Sequence, residues 1–342
     1  LGEKFKPLGI MFSISGLFGS IVFFQANQLS QIIRDFIYTP IGIFQTNSDL
    51  GNLCTGLFVA VLVSVVISGG IQRIARVASK LVPFMVGLYL LAASIIILKN
   101  IGEIPLVFIM IFQDAFTGTS VAGGAIGSMI IIGVRRGLFS NEAGTGTETM
   151  AHGAAKTKEP VREGLVAMLG PFIDTIIVCS ITAIIILISG VYTQNVNGVS
   201  MTALAFEHEL GMLGKIFLIF AVLTFAFSTM FGYSFYGRKC VSYLFGTKAK
   251  YIYNWVYVTM IVVASVASLD IAINFVDSAY AFNGFSNYCG YHPFVSKSNC
   301  RSKVILFKAI IHLLINSILL ASSFVLGLPN RNMPQLHQEP VC

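Results

Sequence analysis

Apolar residues run through most of this chain in blocks near 20 residues long, the length at which an α-helix crosses the hydrocarbon core of a bilayer. The blocks predict spans at about 8–30, 52–70, 81–98, 105–134, 164–190, 212–236 and 251–268, with another beginning near residue 270. Polar, turn-rich stretches separate them, notably Arg34 to Asn52 and Asn141 to Glu163. The block at 105–134 carries Gly123, Gly124 and Gly127 near its middle, within TSVAGGAIGSMIIIGV. Glycines so placed have two readings. They let two helices approach closely, or they mark an unwound turn, which a membrane tolerates only where protein or a water-filled cavity surrounds it. The segment before them, Pro105–Phe116, reads either as the outer half of a broken helix or as an amphipathic helix on the outer surface, with Asp114 near its end.

Composition fits the pattern. Of 342 residues, 55% are hydrophobic and 11% charged, and the mean hydropathy is +0.81. Soluble domains carry about 25% charged residues, so the sequence predicts an all-α, multi-pass membrane protein in contact with lipid. The net charge of +7 could point to nucleic acid, but the basic residues follow the spans instead. Alternation places Lys4 and Lys6, Arg73 to Lys80, Arg135 and Arg136, Lys156 to Arg162, and Arg238 to Lys250 on one side. Arg34, Lys99 and Lys215 alone fall on the other. That is the asymmetry of a cytoplasmic face, and no nucleic-acid partner is expected. Six cysteines without a CxxC pair or a histidine at ligand spacing argue against a metal site or a disulfide framework. Leu1-Gly-Glu-Lys-Phe-Lys leads straight into a span without a signal peptide and reads as internal to a longer protein.

Several polar positions sit where apolar ones belong. Gln25 and Asn27 lie inside the first span and either bind a ligand's charged groups or tie helices together. Asp174, in FIDT, costs about 2.5–3.5 kcal/mol at mid-membrane on insertion scales, which predicts a partner and a structural role. Ser228 and Thr229 offer hydroxyl oxygens, and Tyr233 follows Thr229 by one turn on the same face. Hard cations prefer oxygen ligands, but membrane Ser and Thr also bond their own backbone. Enzymatic readings are weak. His152 stands near Glu142 and Glu148 without a nucleophile, and GTGTET lacks the lysine of a phosphate loop. A membrane enzyme built on Asp174 ranks well below a carrier.

Five blocks carry a resemblance to a known family: FQANQL (24–29), GGIQRIARVASKLVPFM (69–85), GLFSNEAGTG (137–146), AHGAAKTKEPVREGLVAMLGPFIDTIIVCSITA (151–183) and TFAFSTMFGYSFYG (224–237). Over residues 1 to about 283 the chain resembles the alanine or glycine:cation symporters, bacterial amino-acid carriers. The resemblance implies a LeuT-type fold of two inverted five-helix repeats, of which this chain holds about helices 3 to 10. It implies uptake of alanine or glycine with sodium, sometimes with protons, across the bacterial inner membrane, with sodium as coupling ion and no cofactor. Matched residue by residue, Gln25, Gly123, Gly124, Gly127, Thr229 and Tyr233 would contact substrate, and Ser228 and Thr229 the ion. Asn141, Glu142 and Asp174 belong to signature motifs and are read as gating or packing residues. The family usually has Trp where Tyr233 stands, so the side-chain pocket is expected to differ.

Two departures shape the remaining expectations. The family's first helices, which supply half the site, do not occur in this sequence, so the polypeptide is expected to be inactive alone. From Gly284 the text turns to GFSNYCGYHPFVSKSNCRSKVILFK, while a one-base shift restores an apolar helix and a lysine-bearing turn. The chain is therefore divided into a transporter core at 1–283 and an out-of-frame tail at 284–342. The rival reading is a non-transporting membrane remnant of a disrupted gene. Alanine against glycine, and the oligomeric state, have no signature in the sequence.

Overall fold

The computed structural model describes residues 3–44, 47–116, 125–157, 159–194 and 196–298. Helices make up all the regular structure among the described residues: α1 (Lys6–Gly19), α2 (Phe23–Ile33), α3 (Ser48–Ser68), α4 (Gly70–Lys99), α5 (Ile104–Phe116), α6 (Ala125–Asn141), α7 (Glu148–His152), α8 (Pro160–Pro171), α9 (Ser180–Ser189), α10 (Val199–Leu210), α11 (Met212–Phe245), α12 (Ala249–Val266) and α13 (Leu269–Ser298). Six helical stretches among them are long and apolar enough to cross a membrane. The chain is a multi-pass membrane protein.

The span expected at 8–30 is two helices. α1 stops at Gly19, and the chain turns through Ser20 to Val22, where Phe23 N–H donates to the Ile21 carbonyl at 2.9 Å. Small residues explain the break. A Cβ at Gly16 would lie 3.1 Å from Cys240 Sγ, and one at Gly19 would lie 3.2 Å from Asn283 Nδ2. α1 thus seats its glycine face against α11 and α13, as small residues allow helices to do without a hydrophobic drive between them. The Ser20 hydroxyl meets Tyr253 at 3.1 Å on α12.

The stretch Gln72–Lys80, between the spans expected at 52–70 and 81–98, is helical. α4 runs from Gly70 to Lys99, so its charged first turns are a solvated extension of the span. Gly70 supplies the turn from α3 with φ +71°, a left-handed conformation that glycine adopts without strain. Arg73 then reaches back 2.8 Å to the Val65 carbonyl, satisfying an acceptor that the end of α3 leaves open. The expected break inside 105–134 falls partly outside the described residues. α5 ends at Phe116 and α6 begins at Ala125, so Gly123 and Gly124 lie outside them, while Gly127 lies in α6. The boundary expected at residue 283 falls inside α13, which continues to Ser298.

Two further features position the site. α8 passes at Pro171 into a π-helical stretch, Phe172–Cys179, before α9. Proline removes one backbone donor there, and an i→i+5 turn is a common adjustment in such places. α10 is a short helix between α9 and α11, docked on α2. The core is continuous around them. Leu29, Ile32, Ile67, Ile96, Ile185, Phe206, Met230, Tyr257 and Ile261 are wholly buried, and the Tyr257 hydroxyl donates to the Met230 carbonyl at 2.6 Å.

Candidate functional site

A cavity of about 620 Å³ opens between α2, α10, α11, the end of α6 and the π stretch. Gln25, Ser228, Thr229, Tyr233, Glu142 and Asp174 all line it. Residues 203 positions apart in the chain (Gln25 and Ser228) meet there because α2 and α11 pack side by side. Asn141 does not line it. Its amide nitrogen donates to Thr175 Oγ1 at 2.9 Å, and its oxygen accepts from Ala143 N–H at 2.9 Å, closing the end of α6.

Hydrogen bonding separates residues that the sequence leaves equivalent. Asn27 donates 2.5 Å to the Ala267 carbonyl and ties α2 to the end of α12. Gln28 accepts from Val199 N–H at 2.8 Å and donates to Gln31 at 2.9 Å, holding the first turn of α10. Ser228 donates to the Phe225 carbonyl of its own helix at 2.9 Å. By contrast, the Gln25 amide and the Thr229 hydroxyl have no hydrogen-bond partner among the described residues, and both line the cavity. A half-buried polar group left uncommitted carries a desolvation cost that a ligand or water relieves.

The charge in the lining is of one sign. Among the described residues it includes two carboxyl groups and no Lys, Arg or His. Asp174 accepts a hydrogen bond from Ser140 Oγ at 2.5 Å, so the partner expected for it is a hydroxyl on α6. Glu142 begins the loop after α6 with φ +55°, a left-handed conformation uncommon for a residue with a side chain. Its Oε2 accepts from Thr147 Oγ1 at 2.6 Å. Burial pushes the Glu142 carboxyl up from the ordinary glutamate range. Hydrogen bonds from Thr147 and Tyr233 pull it down by less, and the charges of Glu148 and Asp174 push the same way as burial.

The α6 end of the cavity is walled by aromatic rings. Phe139 sits edge-on to Phe24, centroids 5.3 Å apart, and to Tyr280, 5.5 Å apart. Beyond it lies a second cavity of about 650 Å³, between the end of α6 and α13, and Phe139 lines both. Tyr233 of the first cavity and Tyr280 of the second share a 2.6 Å hydroxyl–hydroxyl bond across the wall. Arg136 pairs with Asp277 and lies 5.8 Å over the Phe139 ring. Sequence reasoning singled out none of Phe139, Tyr280, Arg136 and Asp277 for the site. Only Arg136 next to an aromatic residue one turn on was a signal, and topology alone accounted for its charge.

The cavity lies between apolar helices, and among the described residues the only charged groups in its lining are carboxylates. The chain belongs to the sodium:alanine symporter family, whose model matches residues 1–298. It is not an enzyme. It is 37% identical over 294 residues to the sodium/alanine symporter AgcS of Methanococcus maripaludis, covering 83% of this chain and 62% of that one. It is 34% identical over 271 residues to the amino-acid carrier protein AlsT of Bacillus subtilis, covering 79% and 56%. The probable sodium/glutamine symporter GlnT of Bacillus subtilis is 34% identical over 236 residues, 68% of this chain and 49% of that one. The chain spans about three fifths of the length of the first of these relatives.

Proposed function

We propose sodium-coupled symport of a small neutral amino acid, alanine or glycine, across a bacterial inner membrane by alternating access. The observation that carries this reading is the pair of uncommitted polar groups, Gln25 and Thr229, in a cavity whose only charges among the described residues are carboxylates. Such a lining favours sodium and the substrate's ammonium group. Ser228 and Thr229 are the proposed oxygen donors to the ion, and Gln25, Thr229, Tyr233 and the glycines of the α6 region the proposed substrate contacts. Sodium binding stabilises the substrate-competent state, and joint occupancy permits closure, since a ligand moves an equilibrium only by its differential affinity. We place the helices at about positions 3 to 10 of a LeuT-type inverted repeat. The order of long helices, with α10 between α9 and α11, supports that placement.

Tyr233 is the residue that sets side-chain size in this reading, and its phenol is buried and bonded to Tyr280. The test is binding of labelled alanine to the purified chain with and without sodium, followed by accumulation in reconstituted vesicles. Sodium-dependent binding that weakens about tenfold in Thr229→Val and Gln25→Ala, the loss of one hydrogen bond each, supports the proposal. Binding without accumulation matches the expectation that these residues are inactive alone. Sodium-independent or absent binding favours the non-transporting remnant. Glutamine competing better than alanine moves the substrate class to amides.

A further inference from the structure

Glu142 is surrounded by hydroxyl and carboxyl groups. From its own loop and α7 it faces Thr147 and Glu148, from the π stretch Asp174, from α11 Tyr233 and Tyr236, and from α13 Tyr280. No cationic side chain is in that set. Arg136, six positions before it, is paired with Asp277, and His152, ten positions after it, is engaged by Glu148 at 3.5 Å and Glu163 at 2.7 Å. Asp277 and Glu209, by contrast, have the cations Arg136 and Lys99 beside them.

We propose that the Glu142 carboxyl is a proton-binding site of the main cavity, cycling between carboxylate and carboxylic acid. The reaction is a simple protonation, R–COO⁻ plus H⁺ giving R–COOH, with no other bond made or broken. Three geometric facts support it. The carboxyl lines the cavity and so meets whatever proton donor enters there. Thr147 orients it by a hydrogen bond that tolerates either form, since a hydroxyl donates to a carboxylate and accepts from a carboxylic acid. The Tyr233–Tyr280 hydroxyl pair then joins the site to the second cavity. Burial without a counter-charge favours the neutral form in the same direction. The inference deepens the proposed symport by adding a proton to what the cavity carries.

The test is an infrared pH titration of the purified full chain, which needs neither sodium nor amino acid. A carboxylic-acid carbonyl band titrating above the ordinary glutamate range, and absent from Glu142→Gln, is the expected result. Thr147→Val removes a donor that stabilises the carboxylate and moves the titration further up, by about one pH unit; Thr147→Ser restores it. This second variant keeps the proposal testable if Glu142→Gln does not fold. A spectrum unchanged by Glu142→Gln, or a titration indifferent to Thr147→Val, overturns the proposal. A chain that shows the band but no sodium-dependent alanine binding supports the proton site and refutes the symport.

Discussion

Glu142 and Glu209 answer to burial in opposite ways. Glu209, at the end of α10, loses solvent and on that account alone would rise. His208 at 3.0 Å, Asn100 at 2.6 Å and Lys99 at 3.5 Å outweigh burial and hold it below the ordinary glutamate range. Glu142 has hydroxyl donors but no cation, and burial wins. The difference teaches that the partner, and not the depth, decides which carboxylate stays charged. It also assigns the two acids different work. Glu209 fastens α10 and Lys99 together, whereas Glu142 is free to change its protonation.

The comparison can be broken most forcefully at Asn100. Asn100→Leu takes the amide donor from a buried charge, and we expect a loss of about 2–3 kcal/mol in stability, read as a lower melting temperature in detergent. Glu209 should rise toward the behaviour of Glu142. A slightly smaller effect is expected from Gly198→Ala at the other end of α10. Gly198 has φ +67° and ψ −145°, and an added Cβ would lie 2.5 Å from Gln28 Oε1. Strain of that kind costs about 1–3 kcal/mol, and limited proteolysis between α9 and α11 would show α10 undocking.

The pH dependence sharpens the contrast. Glu209 has a lowered folded pKa, so its stabilisation is complete above the unfolded value of 4.5 and is lost as pH falls through the folded value. Glu142 has a raised one, so stability is greatest below 4.5 and declines as pH rises through the folded value. At neutral pH, Glu209→Gln should therefore melt below the parent chain and Glu142→Gln above it, and at acid pH both differences should shrink. The smallest effect belongs to Glu3→Gln, which removes an exposed pair with Lys6 at 3.8 Å. Its melting temperature should not move measurably, since such pairs are worth about 1 kcal/mol or less.

The spans were legible in the sequence because membrane helices announce themselves by length and apolarity. Met212–Phe245 and Pro160–Ser189 differ little in hydropathy, 2.0 against 2.5. Yet the described bundle buries 39% of the first and 6% of the second, a contrast invisible in their composition. α10 was missed for a plain reason. VSMTALAFEHEL is too short to span and too polar to attract attention, and it is helical because Gln28, Gln31 and Ser200 fix its first turn to α2. Gln25 and Asn27 looked alike, two residues apart in one apolar run. Only the position of the Ala267 carbonyl separates the helix tie from the cavity residue. Phe139 and Tyr280 are 141 positions apart, and nothing local in either stretch foretells that their rings meet.

The π-helical stretch Phe172–Cys179 has a consequence for the lineage of the chain. A π turn holds one residue more than the α-helix would need over the same length. Removing a residue between Ile176 and Cys179 should let the segment rewind as α-helix while α9 stays where its own contacts hold it. The helix on either side would keep its facing, because the π turn takes up the extra residue within one turn, and Asp174 would stay against Ser140 and the cavity. The stretch is therefore a place where a single codon can leave the chain without turning either acid out of the cavity.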